Sequence, residues 1–277
     1  MSLRERLLGR RAPAWPADRP VRFVTSFDDV LFEASGRRCV ETFRRHNPCY
    51  EIRAYVEAKE PASPAALEKE VRALGAGAVR LDQLPLLGHF LEVARDVIPA
   101  ELGGDAPPEA FPGEGPQTGD VWFRKHMFRW FRKIVALDHA VRDWNDVLFW
   151  MDCDCVSTAP LPLAEIERAF RGAGVVHMKA RRRHSETGLV GYDLAVPGVR
   201  ELIEAMKEHY MSRAFLDYPR WDDCITLDLH LSRPGAPPAR DIARRTVGAE
   251  EVLPTTPLGA YLRHDKGLHS RGLGLVS

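Results

Sequence analysis

The stretch that most constrains the fold is Val147-Leu-Phe-Trp-Met-Asp-Cys-Asp-Cys-Val156. Five consecutive apolar residues after Asn145-Asp146 fit a strand buried on both faces of a mostly parallel sheet, where near-continuous apolar runs replace alternation. Asp152 and Asp154 follow where that strand should end. In extended chain the two side chains share a side, and at a strand's carboxyl edge they point into the crevice where open α/β sheets bind ligands. Two carboxylates there make a hard-oxygen site, suited to Mg²⁺ or Mn²⁺. Asp-x-Asp alone also occurs in solvated turns and helix caps; the apolar strand running into the pair is what favours a site.

The rest of the chain reads as α/β units around that strand. Val21–Phe27 is a first strand after a proline-rich entry, and a helix from about Gly36 to His46 stops before Pro48. Tyr50–Val56 alternates as a second strand, Ser63-Pro64 caps and opens a helix, and Val79-Arg-Leu is a short third strand. This β-α-β-α-β beginning predicts a single, mostly parallel doubly wound sheet with helices on both faces, covering residues 21–277 after an N-terminal extension over 1–20. A Gly/Pro-rich loop over 99–119 precedes a long helix from Trp122 to Val141. Arg124, Lys125, Arg129, Arg132 and Lys133 read as the solvated face of that helix, with Arg124 and Lys125 in its first turn, near enough to reach a phosphate. Further on, the pattern predicts a helix to about Arg171 and a strand over Gly174–Lys179. A polar loop over Arg181–Gly188, a strand over Leu189–Val196, and helices over Gly198–Met211 and Cys224–Leu231 follow.

Lys+Arg and Asp+Glu both total 39 in 277 residues, so no global charge marks a nucleic-acid binder and any anionic ligand must be met locally. The five cysteines have neither a disulfide framework nor Cys-x-x-Cys spacing, which predicts a reduced, cytoplasmic setting. Cys153 and Cys155, beside a buried strand, read as small apolar fillers, with thiolate ligands as the alternative. The N-terminus is too charged and its apolar part too short for a signal peptide or a spanning helix; Arg4, Arg6, Arg10 and Arg11 fit a solvated end, with peripheral contact to an anionic membrane surface as the alternative.

Polar residues gather at other element ends. Glu186-Thr-Gly188 offers a carboxylate that can orient a sugar hydroxyl or act as a base, against the reading of an ordinary turn. Asp222-Asp223 stands ahead of a helix, where one aspartate is a cap and the other is left for chemistry. In the terminal segment, His264 and His269 are candidate nitrogen ligands to a metal, and Lys266 and Arg271 can neutralise a diphosphate. Thr25, Ser26 and Phe27, ending the first strand, are placed to line a nucleoside pocket, with Phe27 against the base.

Phe23-Val-Thr-Ser26, the strand end Phe149-Trp-Met-Asp-Cys-Asp154, the block Glu186-Thr-Gly-Leu-Val-Gly-Tyr-Asp193 and the terminal His264-Asp-Lys-Gly267 together resemble nucleotide-sugar glycosyltransferases of the GT-A fold, over roughly Val21 to Arg271. The terminal motif lacks the Lys-Pro-Trp ending of some of these families. The resemblance implies a divalent ion, Mn²⁺ or Mg²⁺, held by Asp154 with His264 as a further ligand and Asp152 near the ribose or the metal. It implies a nucleoside-diphosphate sugar as donor and a hydroxyl-bearing acceptor, with Glu186, Asp222 or Asp223 contacting the acceptor or facing the anomeric carbon. A C-terminal tail would lie over the site.

Two other classes share these residues. In phosphatases of the haloacid-dehalogenase type such a pair would make Asp152 a nucleophile and Asp154 a general acid, although that family places the pair on its first strand. In a non-catalytic nucleotide-binding module the acidic pair would be structural.

Overall fold

The computed structural model describes residue 15 and residues 19–58, 63–95, 97, 127–179, 184–244 and 252–265. Its strands are β1 (Val21–Phe27), β2 (Glu51–Val56), β3 (Gly77–Arg80), β4 (Val147–Met151), β5 (Cys155–Ser157), β6 (Val175–Met178), β7 (Glu186–Asp193), β8 (Ala239–Asp241) and β9 (Leu262–His264). Its main helices are α1 (Arg37–His46), α2 (Pro64–Ala73), α3 (Pro85–Val93), α4 (Met127–Asp143), α5 (Leu163–Phe170), α6 (Val199–Met211) and α7 (Asp223–Leu231). The Gly/Pro-rich stretch over 99–119, Lys125, and the tail from Lys266 through His269 and Arg271 lie outside the described residues.

Seven strands form one sheet in the order β3-β2-β1-β4-β7-β6-β8, and β5 pairs with β9 in a separate two-stranded ribbon. The β1–β2, β2–β3, β1–β4 and β6–β8 pairings are parallel, while β7 runs antiparallel to both β4 and β6. The mostly parallel, doubly wound α/β architecture read from the sequence is the architecture found. β4 occupies the middle, and all five of its residues are buried.

Strand alternation sends the side chains of β4 into two cores. Phe149 stacks on Phe23 at 5.1 Å between ring centroids and meets Phe170 of α5 edge-on at 5.7 Å, in the core that also holds Phe43 of α1 and Val71 of α2. Leu148 and Trp150 face the other way, into the core built with Phe90 of α3, Phe131 and Ile134 of α4, Ile203 and Met206 of α6, and Leu227 of α7. Each such large side chain, fully buried, contributes about 1.5–3 kcal/mol. Phe149 also explains Gly191 on the neighbouring strand: a Cβ there would come within 2.6 Å of the Phe149 ring and of Val176.

Several boundaries differ from the expected ones for physical reasons. Glu186-Thr-Gly188 is the start of β7 rather than a loop, because Met178 pairs with Glu186 and the Asp152 N–H donates to the Gly188 carbonyl at 2.8 Å. Arg132 and Lys133 are buried, not solvated, because α4 is enclosed by the sheet and by α3, α6 and α7 along most of its length. His264 belongs to β9 and is buried, so it is packed structure and not part of a loose tail. The end of the N-terminal extension is also engaged: the Trp15 ring packs on Phe170 at 5.2 Å and the Trp15 backbone N–H donates to the Glu167 carboxylate at 3.0 Å.

Candidate active site

The carboxyl end of β4 leads into a tight turn, closed by the Cys155 N–H donating to the Asp152 carbonyl at 3.0 Å. The turn changes the geometry expected of Asp-x-Asp. Instead of lying side by side in extended chain, the two carboxylates are held by different partners on different elements.

Asp152 continues the face of Trp150, whose indole N–H donates to Asp152 Oδ1 at 2.6 Å. Lys133 of α4 reaches the same oxygen at 3.4 Å, lies over the Trp150 ring at 4.8 Å, and donates to Asp223 Oδ2 at 2.5 Å and to the Thr187 carbonyl at 2.8 Å. Burial works against the charge of Lys133, but Asp152 and Asp223 outweigh it and raise its pKa above the usual lysine value. A buried ammonium therefore ties three segments together: the turn after β4, the start of β7 and the N-terminus of α7. Asp223 is 1% exposed, and its second oxygen, Oδ1, has no hydrogen-bond partner among the described residues. An orphaned buried acceptor of this kind costs about 1–3 kcal/mol, so Asp223 Oδ1 calls for a partner: an ordered water, an ion or a ligand.

Asp222 has a different task. Its side chain accepts from the Ile225 N–H at 2.9 Å, capping α7, and pairs with Arg220 at 2.5 Å. Burial first, and then the Asp223 carboxylate, raise its pKa. Glu186 is half-buried at the first position of β7.

Asp154 turns to the opposite side and meets His264, with Nε2 2.7 Å from Oδ1. The contact follows from strand register, because Cys155 of β5 lies directly opposite His264 of β9, and the Asp265 N–H donates back to the Asp154 carbonyl at 2.9 Å. Gly188 makes room for the ring: a Cβ there would lie 2.5 Å from His264 Cε1 and 2.9 Å from Nδ1. Ligand atoms of Asp154, Cys155 and His264 all lie within 4.8 Å of one another. A carboxylate, an imidazole and a thiol are donors that fit a divalent ion, so this set passes the chemical test for a metal centre. Asp152 stands outside the set, nearer to Lys133.

At the end of β1, Thr25 is fully buried and its hydroxyl has no hydrogen-bond partner among the described residues, while Ser26 is half-buried. Phe27 packs in the core, 5.3 Å from the Phe32 ring and against Gly36, with 3% of its surface exposed. That burial makes it a packing residue in place of the expected base platform. Lys125 and Lys266, expected at the diphosphate, lie outside the described residues.

The sequence reading missed Lys133 and the role of Gly188. Lys133 carried a readable signal, since it falls three residues after Trp130 and four before Leu137 on the apolar stripe of α4. Gly188 carried none, because its requirement comes from a residue 76 positions away in sequence, as the numbering shows.

No family model and no curated protein matches the chain. Among solved structures, mouse xyloside xylosyltransferase 1 in its apo form is similar with a TM-score of 0.48 and 10% identity, over 81% of this chain and 85% of that one. The galactosyltransferase LgtC, in complex with donor and acceptor sugar analogs, gives a TM-score of 0.43 and 15% identity over 75% of this chain and 69% of that one. The glycosyltransferase GlyE of Streptococcus pneumoniae gives 0.42 and 12% over 76% of this chain, which spans only 43% of GlyE. Likenesses of this size define no family. Among the described residues no helix is long and apolar enough to cross a membrane.

Proposed function

We propose that the chain is a metal-dependent glycosyltransferase that moves a sugar from a nucleoside-diphosphate sugar to a hydroxyl-bearing acceptor. The observation that carries this reading is the convergence at the end of β4 of the Asp154–His264 pair and the Asp152–Lys133–Asp223 clamp. Asp154 and His264 would hold Mn²⁺ or Mg²⁺, which would neutralise charge building on the leaving diphosphate.

The remaining roles belong to the protein's own groups. Asp152, the more exposed of the two strand-end aspartates, faces the ribose or the metal, and Lys133 fixes its rotamer. Ser26, half-buried at the end of β1, meets the nucleoside, whereas Thr25, fully buried like Phe27, contributes from the core side of that strand end. Lys125 and Lys266 remain the proposed diphosphate contacts. Asp222 is occupied as a helix cap, which leaves Asp223 and Glu186 as the carboxylates for the sugar or the acceptor. Asp223 Oδ1 accepts a sugar hydroxyl while Oδ2 stays on Lys133, and Glu186, at the rim, receives the acceptor's proton. A phosphatase of the haloacid-dehalogenase type would need Asp152 and Asp154 to serve one phosphoryl group, and their division between Lys133 and His264 speaks against it.

A thermal-shift screen of UDP, GDP, CMP and their sugars, with and without Mn²⁺, tests the reading, because a ligand that binds only the folded state raises the melting temperature. We expect one nucleotide to raise it in a Mn²⁺-dependent manner. No shift with any of them in a folded preparation would overturn the proposal.

A further inference from the structure

We propose that Cys155 is a third protein ligand of the cation held by Asp154 and His264, so that the centre is an Asp/Cys/His site selective for Zn²⁺ or Co²⁺ over Mg²⁺. This deepens the proposed function, in that it rests on a cation at Asp154 and His264; it revises the reading of Cys155 as a filler and replaces Mn²⁺ or Mg²⁺ with a softer ion at that centre.

Register supplies the first argument. Cys155 and His264 are directly opposed in the antiparallel β5–β9 ribbon, so their side chains leave the same face as immediate neighbours. Asp154 precedes Cys155 in the turn, and ligand atoms of all three lie within 4.8 Å of one another. Ligands on one tetrahedral zinc stand about 3.3–3.8 Å apart, given bonds of about 2.0–2.3 Å. Side-chain rotations of about 1 Å reach that spacing, opening the 2.7 Å contact between Asp154 and His264 and drawing the Cys155 sulfur inward.

Burial and charge supply the second. Cys155 is 0% exposed, His264 4% and Asp154 9%. A divalent charge in such a place needs anionic ligands, and one carboxylate with one thiolate cancels it. The Cys155 thiol already points toward this end of the sheet, donating to the Gly188 carbonyl at 3.6 Å, and Gly188 is the residue whose missing side chain admits the His264 ring. As the metal–sulfur bond forms, the thiol proton passes to bulk buffer; nothing is oxidised or reduced.

Ligand softness supplies the third. A thiolate favours zinc and cobalt, whereas Mg²⁺ and Mn²⁺ prefer oxygen. Three protein ligands with one open position is the arrangement of catalytic zinc.

The test is titration of the full chain with Co²⁺ under reducing, anaerobic conditions, followed by absorption. A thiolate-bound, four-coordinate Co²⁺ shows a sulfur-to-cobalt charge-transfer band in the near ultraviolet and intense visible bands, which carboxylate and imidazole alone do not give. We expect the band at one equivalent, its displacement by Zn²⁺, and its loss in both Cys155→Ser and Cys155→Ala, with Co²⁺ affinity weakened about tenfold or more. Whichever variant keeps the wild-type circular dichroism serves for the comparison. Co²⁺ bound without the band, or a band that survives in the Cys155 variants, overturns the thiolate ligand and leaves the Asp154–His264 centre standing. No Co²⁺ binding to the wild-type protein, and none of Mn²⁺, overturns the centre itself and with it the metal dependence.

Discussion

Replacing Lys133 by methionine isolates the clamp. Methionine keeps the length of the side chain and its contact with Trp150, so packing is nearly conserved while the charge is lost. The side chains of Lys133 and Asp223 are 6% and 1% exposed, so the change strands a carboxylate in the protein interior. Removing one partner of a buried pair costs about 3–5 kcal/mol. For a chain of this length a kcal/mol corresponds to about 2 °C, so the melting temperature should fall by about 6–10 °C. The second arm adds Asp223→Asn, which removes the stranded charge. Asp152, with 31% of its side chain exposed, tolerates the loss of Lys133 through solvation. The double variant should therefore recover at least half of the loss, a coupling that non-interacting sites do not show. Scanning calorimetry of wild type, both single variants and the double variant reads the cycle. A fall of less than about 2 °C in Lys133→Met, or a double variant no more stable than the single, would refute the view that this lysine neutralises buried charge.

Other perturbations follow from the same geometry. Gly188→Ala places a Cβ 2.5 Å from a His264 ring that is itself buried, and should cost about 1–3 kcal/mol and weaken Mn²⁺ binding by calorimetry; unchanged affinity would show that the ring is not held by this contact. Asp154→Ala should abolish Mn²⁺-dependent nucleotide binding and also lower the melting temperature, because it leaves the buried His264 ring without its carboxylate partner; retained binding would sink the metal assignment. Burial, with Arg233 adding to it, depresses the His209 and His230 pKa values to about 4, below the unfolded value of about 6.5. Both are neutral in the folded state above that range, so the unfolded chain gains protons first as pH falls; stability is full above about pH 6.5 and is lost toward pH 4, by up to about 3 kcal/mol per histidine. His230→Leu should flatten the slope of melting temperature against pH in that window, and an unchanged slope would exclude His230 as its source. Ending the chain at Leu262 removes His264 from β9 and should lower both the melting temperature and Mn²⁺ affinity; an unaltered melting temperature would contradict the packing seen in the ribbon.

What was legible in the sequence followed from short-range patterning. The apolar run of β4, the Ser63-Pro64 helix start, the alternation of β2 and the position of the acidic pair at a strand end are all set by neighbours within a few residues. The misreadings came from contacts made over distance. Lys133 reads as solvated on charge alone, because the two carboxylates that justify its burial lie 19 and 90 positions away in sequence. Asp152 and Asp154 part company because of a turn that an extended-chain argument cannot contain. His264 looked like tail because a three-residue strand has no pattern of its own; only its pairing with β5 makes it structure. Its place at a strand end points Phe27 toward a base, whereas the Phe32–Gly36 segment that follows folds back over the ring.

The central claim is tested most directly by nucleoside diphosphate release. Purified protein is incubated with each common nucleotide sugar in Mn²⁺ or Zn²⁺, and the liberated diphosphate is quantified for wild type and for Asp154→Asn. The account predicts slow hydrolysis of one donor by the wild-type protein even without an acceptor, its acceleration when the right hydroxyl compound is added, and its loss both in the variant and in EDTA. Release from no donor, or release that persists undiminished in Asp154→Asn and in EDTA, would contradict it.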